Sequence, residues 1–333
     1  MLVLLAALAL AETPPPAAAA ALVSASDVAA PDAAPAPVER TFAERVEEAI
    51  TVRRGGDVEA ARALLVALEP LVPAAELTNY LYQRGICEEL AYRPESALAF
   101  YDRAIELAGP NALDARFRRV LVLEELGMYA PALEEVRAID RARGLSADDA
   151  ITVSLQRGIT ELASGKRRVG IKRIQAALDL TEGGDTHRYL RAKARFHLAR
   201  ALLDEADALP LTGDEKRIVR NLEGRATRIK AAEQQIIALA ALREPEWVLQ
   251  SLVSFGDSYV RLADALAKAP APKRLTDPQE EIYRAELVKK AGNVRTKAYH
   301  AFDQGVAVAT RLAWESPVVT VLQERRAVLQ AER

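Results

Sequence analysis

The residues whose types could do chemistry are few, and their spacing works against them. Three histidines, His187, His197 and His300, are the only imidazoles in 333 residues. Zinc ligation or a hydrolytic base would need them paired at helical spacing, as in His-Glu-x-x-His, or joined by paired cysteines. They stand far apart, and Cys87 is the single cysteine. One thiol makes no intramolecular disulfide, and free cysteine is among the most buried residue types, so Cys87 reads as a small core residue. Gly165-Lys166 has the ending of a phosphate-binding loop. The first glycine of that motif is missing, because position 160 is Thr160, and Arg167 replaces the magnesium-binding Ser or Thr. Gly165-Lys166 therefore reads as a turn. So do Gly55-Gly56-Asp57 and Gly183-Gly184-Asp185, each ending in a helix cap. No catalytic, metal-binding or cofactor-binding set emerges.

The elements around these residues are helical. Half of the chain is apolar, dominated by Ala and Leu, with only 5% aromatic residues. Such side chains lose little rotamer freedom in a helix and are poor strand formers. A formal net charge of −2 with interleaved signs excludes the basic excess of a general nucleic-acid or membrane-surface binder. Two basic stretches stand out locally. One is Lys166, Arg167, Arg168, Lys172 and Arg173. The other runs through Arg188, Arg191, Lys193, Arg195 and Arg200, with Lys216, Arg217, Arg220, Arg225 and Arg228 following. Lacking interleaved aromatics, they read as solvated faces paired with nearby acids, or as a patch for an acidic protein partner or an anionic envelope polymer.

Residues 1–11 form an apolar run ending Ala9-Leu10-Ala11, the small-x-small pattern of a cleaved secretory signal peptide. The run is shorter than the roughly 20 residues of a membrane span. No Lys or Arg precedes Arg40, which departs from the usual basic start of such a segment. The expected location is periplasmic or exported, with a cytoplasmic protein as the alternative. Residues 12–38 are Ala/Pro-rich, including Pro14-Pro15-Pro16, and read as a disordered linker.

From residue 40 a repeat begins. Leu81, Gly85, Ala97, Tyr101, Ala104 and Pro110 match the tetratricopeptide-repeat (TPR) pattern of a 34-residue helical hairpin. In that pattern Gly85 and Ala97 are close-approach points of two antiparallel helices, and Tyr101 fills the gap to the next hairpin. The first-helix crossing position recurs at Ala49, Gly85, Val120 and Gly158, and its second-helix counterpart at Ala61, Ala97, Ala132 and Gly170. Turn glycines stand at Gly55-Gly56, Gly127 and Gly165. Leu81-Tyr82-Gln83-Arg84-Gly85-Ile86 echoes Ser154-Leu155-Gln156-Arg157-Gly158-Ile159. The expected architecture is all-α, a TPR-like helical-hairpin solenoid with elongated C-terminal helices. Residues 40–183 form four TPR-like repeats and 185–331 an elongated TPR-like region. In the latter, helices are expected over Asp185–Leu209, from a Thr212 capping box towards Arg243, from Pro245 to about Lys268, from an Asp277 cap to Ser316, and after Pro317.

That second region resembles a group of envelope TPR proteins of gliding and predatory bacteria. The resemblance rests on Glu244-Pro245-Glu246-Trp247, Phe255-Gly256-Asp257-Ser258-Tyr259, Leu262-Ala263-Asp264-Ala265-Leu266, Ala269-Pro270-Ala271-Pro272, Tyr283-Arg284-Ala285-Glu286-Leu287, Lys289-Lys290-Ala291 and Trp314. It implies an exported scaffold that carries no active site. The absence of a lipobox cysteine after Ala11 departs from lipoprotein members.

TPR arrays bind partners on the inner wall made by the first helices. The fifth and ninth positions of that wall are Val46 and Ile50, Tyr82 and Ile86, Phe117 and Leu121, and Leu155 and Ile159. All eight are apolar, one helical turn apart on one face. The carboxylate-clamp type of groove needs Lys and Asn here, so the expected partner is a protein offering a hydrophobic helical or extended segment. Nucleic acid and an integral membrane span are not expected. The alternative is that the protein's own helices cover these eight side chains. The function read from the sequence is a non-catalytic interaction scaffold, with a cytoplasmic TPR adaptor or regulatory subunit as the alternative.

Overall fold

The structure is a computed structural model that describes residues 40–141, 145–181, 187–273 and 275–332. The expected signal segment, 1–11, and linker, 12–38, lie outside the described residues. Among those residues there are thirteen α-helices, two single-turn 3-10 segments and no strand. The chain divides into two compact units, with the division between Leu145 and Ser146.

The N-terminal unit holds three hairpins. They are α1 (Phe42–Arg54) with α2 (Val58–Leu68), α3 (Leu77–Leu90) with α4 (Pro94–Glu106), and α5 (Ala112–Glu125) with α6 (Tyr129–Asp140). Each second helix packs on the first helix of the next hairpin, and α3 also touches α5. This nesting is the TPR arrangement.

The C-terminal unit holds α7 (Ala147–Ala163) with α8 (Arg167–Asp179), α9 (Arg188–Asp207) with α10 (Glu215–Ala240), α11 (Pro245–Ala267) with α12 (Asp277–Leu312), and α13 (Pro317–Ala331). Here α7 packs on α9, α9 on α11, and α13 on both helices of the last hairpin. The fourth hairpin groups with the elongated helices, whereas the sequence reading placed 40–183 together.

Small side chains at the crossings explain why the hairpins close. All eight crossing residues, from Ala49 and Ala61 to Gly158 and Gly170, are buried. A Cβ on Gly85 would stand 2.4 Å from Cε1 of Tyr101, and one on Gly170 would stand 2.6 Å from the backbone nitrogen of Leu162. The last hairpin uses the same device, since a Cβ on Gly256 would meet the Phe302 ring at 2.3 Å. Gly305 opens a further close approach, 2.7 Å from Leu322 of α13, which the sequence reading did not single out.

The turns share one register. Gly56, Gly127 and Gly165 take φ of 98°, 71° and 86°, the left-handed region that favours glycine. At the equivalent place in the second hairpin stands Tyr92, with φ of 56°.

Two caps differ from expectation. Helix α10 is capped by Asp214, which accepts from the Arg217 amide at 2.8 Å, and not by Thr212. Gly213 has φ of 103° and breaks any helix through the earlier cap. Helix α12 is capped by Thr276, in a capping box with Gln279, so Asp277 is already its first helical residue. It ends at Leu312 because Ala313 turns left-handed, with φ of 47°.

Candidate partner-binding face

Five of the eight expected groove residues are core. Val46, Ile50 and Ile86 are 2%, 7% and 6% exposed and join the cluster built on Ala61, Leu65, Ala97 and Tyr101. Leu155 and Ile159 are wholly buried and pack with Ile174 of α8 and with Ala194 and Leu198 of α9. The protein's own next helix fills the space a ligand would take there. These five positions therefore correct the expectation of a continuous open stripe. The fifth and ninth positions lie near the seam between successive first helices, and apolar side chains at that seam are drawn in.

Three of the eight keep exposed surface. Tyr82 on α3 and Phe117 and Leu121 on α5 are half-buried. A polar anchor stands beside them. Tyr101 donates its hydroxyl to Oε2 of Glu89 at 2.6 Å, and Arg118 Nη1 donates to Oε1 of the same carboxylate at 3.0 Å. Burial, reinforced by the Glu89 charge, pushes the Tyr101 hydroxyl far above its ordinary range, so it stays a donor. Burial, the largest single influence, would pull Arg118 down, but Glu89, Tyr101 and Tyr82 together outweigh it and the guanidinium stays charged. One carboxylate thus ties α3, α4 and α5 together, and the Tyr82 ring rests 6.3 Å from that of Tyr101. The arrangement fixes an apolar patch with a charged margin. It activates no nucleophile.

The sequence reading missed a buried ionic motif, although the internal echo pointed to it. Carried two residues further, the echo becomes Gln83-Arg84-Gly85-Ile86-Cys87-Glu88 and Gln156-Arg157-Gly158-Ile159-Thr160-Glu161. Both glutamates are 2% exposed. Glu88 meets Arg62 at 2.8 Å, Arg84 at 3.4 Å and Arg93 at 3.8 Å. Arg84 also lies 4.7 Å over the Phe100 ring and donates to the Tyr80 hydroxyl at 3.1 Å. Glu161 meets Arg157 at 3.2 Å and Arg173 at 2.9 Å. In the third hairpin the glutamate position is Leu123, a core residue. Burying a carboxylate without partners is costly, so each guanidinium here serves the fold.

The residues first considered for chemistry are dispersed. His187 bonds Thr152 at 2.9 Å, His197 lies beside the rings of Phe196 and Trp247, and His300 lies beside Tyr299. Burial, followed by the charges of Lys193 and Arg200, pulls His197 down to about 3. Cys87 is buried, and burial pushes its thiol up. Among the described residues no group of three or more His, Cys, Asp or Glu is placed to hold a metal ion. No described helix is long and apolar enough to cross a membrane. A polar cleft of about 450 Å³ lies between α9 and α11, lined by Arg200, Asp204, Asp207, Ser254, Asp257 and Arg261. Its acids are engaged in part, Asp207 with Ser258 and Arg261 and Asp257 with Arg325. Asp257 follows the crossing residue Gly256, so the last hairpin puts a carboxylate where the first four put Ile or Leu.

These features define an all-α, TPR-like assembly of helical hairpins with an elongated C-terminal unit. No protein-family model and no curated protein matches the sequence. Among solved structures the chain is similar to a tetratricopeptide repeat protein from Parabacteroides merdae, at 15% identity and a TM-score of 0.43, covering 87% of this chain and 98% of that one. The repeat assignment here rests on the nested hairpins themselves.

Proposed function

We propose that this protein is a non-catalytic interaction scaffold in a periplasmic envelope or motility-type complex. It holds an apolar helical or extended segment of a partner protein against α3 and α5. The observation that carries this reading is the half-buried trio Tyr82, Phe117 and Leu121, set on helices locked to each other through Glu89, Tyr101 and Arg118. Rigid presentation of half-buried aromatic and aliphatic groups lowers the ordering cost of binding. The hairpin architecture supports a scaffold, and the apolar segment 1–11 supports export.

Crosslinking and co-purification test the first part. Replacing Phe117 and Leu121 with Asp should abolish partner capture while helicity is retained. Loss of helicity would instead make both residues core and end this reading of the face. Sequencing the mature N-terminus tests the second part. A new terminus at Glu12 is expected, and an intact Met1 on cytosolic protein would move the scaffold to the cytoplasm.

A further inference from the structure

We infer that the outer face of α8 is a second docking surface, one that takes an acidic amphipathic helix of a partner protein. Along α8 the residues Val169, Arg173, Ala176 and Leu180 recur at spacings of four, three and four, which lines them up on one helix face. Val169 is 51% exposed, Leu180 is 72% exposed, and Ala176 is exposed too. Beside this stripe run Arg168 and Lys172, one turn apart and also exposed. Ser154 of α7 with Arg168, Val169, Lys172, Arg173 and Ala176 lines an open groove of about 510 Å³, and Leu180 is the residue that caps the C-terminal end of α8.

The charges along this groove are not balanced from within. Arg173 pairs with Glu161 at 2.9 Å, and Arg167, at the start of α8, pairs with Glu205 at 2.8 Å. Among the described residues Lys166, Arg168 and Lys172 make no ion pair. Two of them stand at the start of α8, where the helix dipole is positive and the first turn holds no acid. The stretch is therefore a row of apolar contacts edged by uncompensated cations. Its complement is a helix with an apolar stripe and carboxylates along one side. Helix α8 has 13 residues, so at 1.5 Å each it offers roughly 20 Å, three to four turns of a partner. The groove holds no aromatic ring on which a base could stack, which favours a protein occupant over a nucleic acid.

The probe is a fluorescein-labelled synthetic amphipathic peptide of about 14 residues, with a leucine stripe flanked by glutamates. A lysine-flanked counterpart and an oligothymidine strand are its controls. Anisotropy titrations of the full chain should show the glutamate peptide binding and the lysine peptide not. The double variant R168E/K172E should weaken the glutamate peptide by about tenfold or more and turn preference towards the lysine peptide. Val169→Asp should weaken the glutamate peptide as well. All three side chains are exposed, and circular dichroism verifies that the variants fold. Equal binding of both peptides, or no binding of either, overturns the inference. So does oligothymidine binding as tightly as the glutamate peptide with no response to Val169→Asp, because that describes a general polyanion surface. The Phe117 and Leu121 variants leave this binding unchanged, so the two surfaces fail or stand separately.

Discussion

Replacing Gly170 with Ala is the sharpest test of how the hairpins close. The added Cβ would lie 2.6 Å from the backbone nitrogen of Leu162, 2.7 Å from the Gly158 carbonyl oxygen and 2.9 Å from the Leu162 Cα. All three are backbone atoms of α7, so no side chain can swing aside. Reaching ordinary contact near 3.5 Å needs roughly 0.9 Å of separation between α7 and α8. That separation would loosen Leu155, Ile159, Ile174 and Ala177, all buried. Overpacking of this kind costs about 1–3 kcal/mol, and rigid backbone puts Gly170 at the upper end. Alanine returns about 1 kcal/mol of helix propensity, leaving a net loss of about 2 kcal/mol. For a unit of this size that lowers Tm by about 4–8 °C. Both tryptophans of the chain, Trp247 and Trp314, belong to the C-terminal unit, so intrinsic fluorescence reports that unit without interference. Gly292 is the control, being exposed with no atom near its absent Cβ. Gly292→Ala should raise Tm by the propensity gain alone, about 2–4 °C. If Gly170→Ala were as stable as the parent, or gained like Gly292→Ala, the close-approach account of the hairpins would fall.

Other outcomes follow from single features. Tyr92→Gly should stabilise the N-terminal unit by about 1 kcal/mol in urea titrations followed by circular dichroism, because it removes left-handed strain from a mostly exposed side chain. Glu88→Gln should destabilise the same unit by about 3 kcal/mol in that assay, since three arginines lose the charge they face. Cys87 should resist thiol reagents in the folded protein and react on addition of urea; rapid labelling without denaturant would contradict its burial. His197 has a folded value of about 3, against an ordinary 6.5, so the unfolded chain binds a proton that the folded chain refuses. Its contribution to stability is complete above about pH 6.5 and falls away towards pH 3, by at most about 1.4 kcal/mol per pH unit. His197→Gln should flatten that part of the stability profile measured by tryptophan fluorescence.

Much of the fold was legible because small residues recur for a steric reason. Gly85, Ala97, Gly158 and Gly170 are required wherever two helix backbones nearly touch, so their spacing reports hairpins directly. Pro245 and Pro317 marked helix starts because their missing N–H is harmless there. The caps at Asp214 and Thr276 were missed by a residue or two, since capping side chains stood close together in both places; the backbone of Gly213 decided the first and the capping box with Gln279 the second. The candidate face was less legible. Periodicity shows that Ile86 and Phe117 share a helix face with their neighbours, but not how far the next hairpin leans over it. Within the N-terminal unit that lean buries Ile86. The Glu88 and Glu161 networks were hidden for a related reason: a glutamate on a charged helix looks solvated until the neighbouring arginines are located in space.

The two copies of that ionic motif are wired differently. Glu88 draws one of its counter-charges, Arg62, from the preceding hairpin, whereas Glu161 is neutralised wholly within its own hairpin by Arg157 and Arg173. A hairpin that borrows a counter-charge cannot be cut free without removing one of the partners of its buried carboxylate. One that supplies its own can stand first in a stack. The chain divides immediately before the self-sufficient copy. The C-terminal unit, from Ser146 onward, is accordingly the piece to excise and grow alone, whereas trimming the N-terminal unit from its first hairpin would remove Arg62 and with it a support of the second.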